Sequence, residues 1–334
     1  MYTLRRVLSK IIFSLLLVIS LQTPLQAENA TGLFVIGGQH GTLFTSTDGV
    51  TWTQRSVGAN VRMLQVLWNN KQFLATGWDE NTFNDVILTS PDGLRWTIHL
   101  LTSSYSVYSR FAPSWDGNQY IATGADVNSN SFILTSADGL SWIQKSKFTQ
   151  TNLVDVVWTG AQYVAIGDKA KILTSPDLVN WSQQSSGIRN DTYLRRIIWT
   201  GTQFIIAGTN VYVTPDVGVI LTSPDGVRWT TRYNAPFGTG SFLNSIIVNA
   251  SQYVVGGYDG FLVSQDSINW FPSQIPGSIN QIIWNGSQYV AVGYSNTRMG
   301  LIFTSPDGTH WTQRTSNTPF SLDTVAWGTP QAHN

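Results

Sequence analysis

Seven times the chain repeats Ser-x-Asp-x-x-x-Trp, and this repeat constrains its fold more than any other feature. The copies occupy 46–52, 90–96, 136–142, 175–181, 223–229, 264–270 and 305–311, and successive Trp residues stand 44, 46, 39, 48, 41 and 41 apart. An apolar, β-prone run precedes each copy, as in Val86, Ile87 and Leu88, and the Trp opens a further extended stretch. The phrase therefore reads as the turn of a β-hairpin. Its Asp (Asp48, Asp92, Asp138, Asp177, Asp225, Asp266, Asp307) can accept hydrogen bonds from backbone N–H groups one or two residues on and so close the turn. Gly follows in five copies, but Leu178 and Ser267 replace it in the other two, so the sequence does not demand positive φ there. The Trp (Trp52, Trp96, Trp142, Trp181, Trp229, Trp270, Trp311) reads as an apolar wedge between neighbouring sheets. Burying such a ring stabilises by roughly 4–6 kcal/mol.

A second phrase precedes each turn, clearest as Ile-Ile-Trp-Asn-Gly-Ser-Gln-Tyr-Val-Ala-Val-Gly at 282–293. Its relatives begin near Val66, Pro113, Val156, Ile197 and Ile246. A strand, a tight turn and a second strand fit it. Each unit then holds four strands, and such units of about 40–45 residues predict an all-β chain arranged as a β-propeller. The two chain ends complete the count. Residues 323–327 form a first strand with nothing after it, and 33–38 a second strand with nothing before it. Pairing them builds one blade from a C-terminal strand 1 and N-terminal strands 2–4, which removes two exposed sheet edges. The expectation is a single seven-bladed propeller of four-stranded antiparallel blades over residues 28–334.

The turn phrase resembles the Asp-box, or bacterial neuraminidase repeat, in a form one residue shorter between Asp and Trp. The resemblance covers nearly all of residues 28–334 and extends to sialidase-like and photosystem II assembly-factor-like propellers. In those families the box is structural and lies away from the working face. The resemblance thus implies a fold and leaves the activity open.

Residues 1–27 read as a secretory signal peptide, with Arg5, Arg6 and Lys10 as its charged start, an apolar run over 11–21, and Ala27 at its exit. That run is short for a membrane-spanning helix, so no span is expected after cleavage. Removing those three cations takes 19 basic residues to 16 against 19 acidic, a net charge of −3. With so few cations there is no basic stripe, which argues against nucleic acid as a partner. Export without any Cys fits a bacterial periplasmic or secreted protein, and a monomer is expected.

Strand parity sorts the loops onto two faces. The 1–2 turns and the boxes share one face, and their lengths repeat without variation; the 2–3 and 4–1 loops share the other. There the interval from the Gly ending strand 2 to the next box runs from 7 residues (Gly257 to Ser264) to 15 (Gly208 to Ser223). Irregular loops on a rigid scaffold favour binding, so this variable face is the candidate. Of fourteen Trp residues only Trp78 lacks a place in a repeat, and it falls on that face, in a column with Tyr258 and Tyr294. Next to them stand His40, Asp79, Glu80, Asp126, Asp168 and Asp259. Aromatic rings beside carboxylates can stack on a sugar and accept its hydroxyls; the same Asp residues can equally well cap their own turns.

No catalytic residue is assigned. The four His are scattered and Cys is absent, so neither a metal nor another cofactor is expected. Glycoside hydrolysis is the enzymatic alternative: it would pair Asp79 or Glu80 with Asp126, Asp168 or Asp259. The arginines available to a sialidase-like site are Arg110, Arg195, Arg196 and Arg298, but the early Phe/Tyr-Arg-Ile-Pro motif is missing. The leading expectation is a non-catalytic exported propeller that binds a protein or glycan on its variable face. An envelope assembly or adhesion module is the further alternative.

Overall fold

A computed structural model describes residues 32–101, 111–126, 128, 130–211, 216–235, 242–249 and 251–331, with the Asp259 side chain left out. The expected signal peptide over residues 1–27 and Arg110 lie outside the described residues, which belong to the compact unit Thr31–Asn334. Among them there is no helix, and none long and apolar enough to cross a membrane.

The chain is all-β and its sheets are antiparallel, as expected. Five sheets have four strands each. The one joining the chain ends runs in the order Leu322–Gly328, Leu33–Gly38, Thr42–Ser46, Thr53–Ser56. Val35 pairs with Ala326 and with Thr45, so the C-terminal strand takes the inner place that the N-terminal repeat lacks.

A sixth sheet has six strands, two of them long: Tyr253–Ser264 and Phe271–Trp284. Each covers the place of two repeat strands, because the connections between them are the shortest on the variable face. Tyr253–Ser264 pairs with Leu243–Val248 through its first part and with Phe271–Trp284 through its second. The chain bends within these strands at Gly260 (φ 133°) and Gly277 (φ 123°), in backbone conformations that favour glycine. The sheet also encloses a core between its own halves. Val254, Phe261 and Val263 from one half pack with Ile279, Ile282 and Tyr289 from the other, and Trp311 lies against them.

Every box is built alike. Ser46 Oγ donates to Asp48 Oδ1, the same oxygen accepts the N–H groups of Val50 and Thr51, and Trp52 Nε1 donates to Gly49 O. The acceptance therefore reaches two and three residues ahead of the Asp, one further than expected. The residue after Asp has positive φ in all seven boxes, including Leu178 (66°) and Ser267 (61°). This corrects the sequence reading: the turn imposes the left-handed conformation, and the hydrogen bonds gathered around the Asp offset its cost in the two boxes without Gly. The box Trp rings are half-buried in cores between neighbouring strand sets, as with Trp96 among Val35, Phe73 and Leu88, and Trp311 lies in the core between the halves of the six-stranded sheet.

The conserved-looking Gln of the second phrase has a role that the repeat alone did not disclose. Gln288 donates to Asp48 O, Gln162 to Asp225 O, and Gln203 to Ser267 Oγ, each in the neighbouring sheet's box. These amides latch one sheet to the next across the uniform face.

The first strands contact one another in sequence. Leu322–Gly328 meets Val61–Trp68, and the contacts continue through Ala112–Trp115, Leu153–Trp158, Thr192–Trp199, Leu243–Val248 and Phe271–Trp284 back to Leu322–Gly328. Side chains satisfy backbone groups across these gaps. Thr324 Oγ1 accepts the N–H of Val66, Gln281 Oε1 that of Val325, Ser245 Oγ that of Ile282, and Asp155 Oδ2 that of Ile197.

Two outcomes follow for stability. Thr324 is fully buried and also donates to Gln281 Oε1, so Thr324→Val strands two polar partners and lowers stability by about 1–3 kcal/mol in urea unfolding; an unchanged midpoint would discount this belt. The second outcome concerns acid. The N–H groups of Thr51 and Val50 hold the Asp48 carboxyl down at about 2. In Asp92 and Asp138 partial burial pushes upward but is outweighed by similar N–H groups, leaving them also at about 2. A depressed carboxyl stabilises fully above its unfolded value of about 3.9, and that contribution is lost as pH falls through the folded value. Asp155 and Asp323, raised by burial, act oppositely at higher pH. The thermal midpoint is expected to fall steeply between about pH 4 and pH 2.

Candidate functional site at the variable face

The predicted residues on this face divide into three groups. In the first, His40 N–H donates to Glu80 Oε2 (2.9 Å), and the His40 ring Nδ1 lies 2.6 Å from the same oxygen. Asn60 O accepts the Glu80 N–H, and the Phe320 ring meets the His40 ring edge-on at 4.4 Å. His40 and Glu80 thus tie the terminal sheet to its neighbour. Beside them Trp78 lies under the guanidinium of Arg62, 5.2 Å from its ring, while Arg62 Nε donates to Asp323 Oδ2 at 2.7 Å.

The second group caps turns. Asp79 Oδ1 accepts the N–H groups of Asn81 and Thr82, and Asp126 accepts those of Asn128 and Asn130. Backbone donors keep the Asp79 carboxyl below its ordinary value; for Asp126 the Asn130 side-chain amide contributes most. Asp168 Oδ2 accepts from the Asn152 amide at 2.6 Å. Each of these three acids thus faces its own loops.

The third group converges. Tyr294 Oη donates to Tyr258 Oη (3.0 Å), and their rings meet edge to face at 6.4 Å. Phe242 stands 5.4 Å from Tyr258, and the Arg298 guanidinium lies 5.1 Å over Tyr294. On the other side the Arg195 guanidinium spans Tyr193 (5.7 Å) and Phe242 (6.0 Å). The result is a row of four aromatic rings and two guanidinium groups across three sheet repeats. Tyr193 also borders an open cavity of about 590 Å³ with Lys169, Arg189, Asn190 and Asp191.

Sequence reasoning missed Arg62, Tyr193 and Phe242. All three immediately precede a fully buried apolar residue near the start of a first strand (Met63, Leu194, Leu243). Aligning the first strands on their last residues (Trp68, Trp199 and Val248) would have put them in one column. The next column inward was also hidden. Strand pairing skips Leu64, Val154, Arg195, Asn244, Asn280 and Asp323, one bulge in each of six first strands, while Ala112–Trp115 pairs without a skip. Bulges of this kind re-aim a side chain out of the sheet.

No family model matches the sequence, and no curated protein does. Solved structures resemble it at low identity. A protein of unknown function from Desulfotomaculum acetoxidans shares 13% identity at a TM-score of 0.62, covering 90% of this chain and 99% of that one. The β-propeller domain of the Trilobed protease from Pyrococcus furiosus shares 9% at a TM-score of 0.51, covering 76% and 84%. The β-propeller domain of Cps50 (Swd1) from Myceliophteria thermophila shares 11% at 0.55, covering 81% and 92%. The fold is a β-propeller. Its propeller neighbours differ widely in their named roles, so the likeness carries architecture alone. In a propeller the first strands are innermost, which puts the six skipped residues at the central passage and the aromatic row beside its mouth.

The Arg62 pair offers a direct check of this geometry. Burial raises the Asp323 carboxyl and the Arg62 charge lowers it. Arg62→Met leaves that carboxylate without its cation and costs about 3 kcal/mol at pH 7. Less is lost at pH 5, where the carboxyl more readily takes a proton. An equal loss at both values would show that Asp323 does not depend on Arg62.

Proposed function

We propose that this chain is an exported, non-catalytic, seven-bladed propeller of the Asp-box kind, which binds a protein or glycan through its variable face. Seven boxes, each placing one Trp in a core between neighbouring strand sets, support the blade count, with the six-stranded sheet read as two blades joined through their extended connections. The cycle of contacts among seven first strands supports it too. The box hydrogen bonds support the Asp-box assignment, in the shortened form. Export and a periplasmic or extracellular destination rest on the N-terminal sequence.

The observation that carries the binding reading is the row Tyr193, Arg195, Phe242, Tyr258, Tyr294 and Arg298 at the passage mouth. Aromatic and arginine side chains together are the composition of binding hot spots. Asp79, Asp126 and Asp168 are engaged by their own loops, which favours binding over glycoside hydrolysis.

Glycan-array binding and capture of envelope proteins by the purified mature chain test the reading. Arg298 is exposed, so Arg298→Ala is expected to weaken capture at least tenfold with an unchanged thermal midpoint, and Tyr294→Ala to weaken it further. Turnover of fluorogenic glycosides by the same preparation would overturn the non-catalytic reading. Retention of full binding by both variants would move the ligand away from this row.

A further inference from the structure

The uniform face repeats one pattern, and it departs from that pattern most at a single junction. The residue after the box Trp is Thr53, Thr97, Ile143, Ser182, Thr230 and Thr312 in six copies, but Phe271 in the other. Two residues after the box Asp stand the exposed aliphatics Val50, Leu94, Leu140, Val179, Val227 and Ile268, but Thr309 in the last box. The Gln of the second phrase donates to a neighbouring box from Gln162, Gln203 and Gln288. Gln252 holds the same place, with its Nε2 beside Gly308, yet its amide has no hydrogen-bond partner among the described residues.

These three departures come from two successive repeats and line one open cavity of about 410 Å³. They meet because the outer strand of one repeat lies against the box of the next: Ser273 Oγ donates to Thr309 O at 3.3 Å. The Phe271 ring is 67% exposed, and Phe271 pairs with Val263 across the hairpin, so both side chains stand on the same side of the sheet. Facing them are Gln252, Asp266 and Asn269. Asp266 Oδ1 is taken up by its own box, accepting from Ser264 Oγ and from the N–H groups of Ile268 and Asn269. Asp266 Oδ2 accepts from the Asn269 amide at 2.7 Å, which leaves it a lone pair and leaves the Asn269 carbonyl oxygen as a further acceptor. No Lys or Arg is among the lining residues, so nothing in the lining selects an anion.

We propose that this cavity is a subsite for a neutral pyranose with an apolar C–H face, such as a β-glucoside. The Phe271 ring would stack on that face, the Gln252 amide would donate to one hydroxyl, and Asp266 Oδ2 and Asn269 Oδ1 would accept from others. An aromatic platform beside a few fixed polar groups suits a small polyhydroxylated ring. A peptide strand fits less well, because the segment that carries Phe271 also carries Pro272, which discourages strand addition at an edge. The site lies on the uniform face and shares no residue with the aromatic row of the variable face, so each can fail without the other.

Cellotriose serves as the probe and glucitol, with similar hydroxyls but no ring face, as its acyclic counterpart. Saturation-transfer NMR with the purified full chain reads both. Cellotriose is expected to take up saturation at its ring C–H protons, and glucitol to bind about tenfold more weakly or less. Phe271→Ala should weaken cellotriose about tenfold with an unchanged thermal midpoint, since the ring is exposed, whereas Phe271→Trp, which keeps an aromatic face, should retain it. Gln252→Ala should weaken it severalfold, and Tyr294→Ala, on the opposite face, should leave it unchanged. Four results would each overturn the proposal: no transfer to cellotriose from the wild-type chain, equal transfer to glucitol, binding indifferent to Phe271→Ala, or a loss in Phe271→Trp as complete as in Phe271→Ala. Loss in Tyr294→Ala with none in Phe271→Ala would place the sugar on the variable face and overturn it as well.

Discussion

Each sheet in this molecule has an inner edge, and an inner edge strand carries N–H and C=O groups with no strand to receive them. Leaving such groups buried and bare costs as much as a lost hydrogen bond. Here the answer is local and repeated. Thr324, Gln281, Ser245 and Asp155 each reach across to a backbone N–H of the following first strand. The pairing of Leu322–Gly328 with Leu33–Gly38 deals with the remaining edges, those at the two ends of the chain. Both devices hold the first strands in fixed relation, and the loops at their ends inherit that rigidity.

The two faces then diverge for physical reasons. On the uniform face each box Asp gathers its own N–H groups, each box Trp fills a core between neighbouring strand sets, and amides such as Gln288 lock neighbouring turns. A length change there would break several contacts at once. Among the described residues the variable face carries no contact repeated from sheet to sheet in this way, so its loops can differ in length and bring unlike residues together. Tyr193, Phe242, Tyr258 and Tyr294 meet there although they lie as much as 101 residues apart. The bulges add a second freedom, because skipping one residue in each of six first strands turns a side chain toward the passage while the apolar residue before it stays buried.

Much of this architecture was legible because repetition converts weak local signals into strong ones. Seven identical spacings identified the box, and its Ser, Asp and Trp do what their chemistry suggests. Repetition could also mislead. Leu178 and Ser267 suggested a permissive turn, yet both adopt the left-handed conformation that Gly takes in the other copies. Local sequence ranks the cost of a conformation and cannot show whether the surrounding hydrogen bonds outweigh it. Trp78 was singled out correctly as irregular, but its partner Arg62 lies on the adjacent strand, and together they form a covered pair instead of an open platform.

What the sequence by itself determined was the all-β class, the four-strand repeat, the pairing of the chain ends and the division into uniform and variable faces. All of these depend on periodicity and loop length, which are properties of the chain read in order. Only the tertiary structure decided which side chains work together. His40 with Glu80, Arg62 with Trp78 and Asp323, and the row from Tyr193 to Arg298 depend on which strands lie side by side and where a bulge turns a residue outward. Distance in space, and not spacing along the chain, sets those contacts.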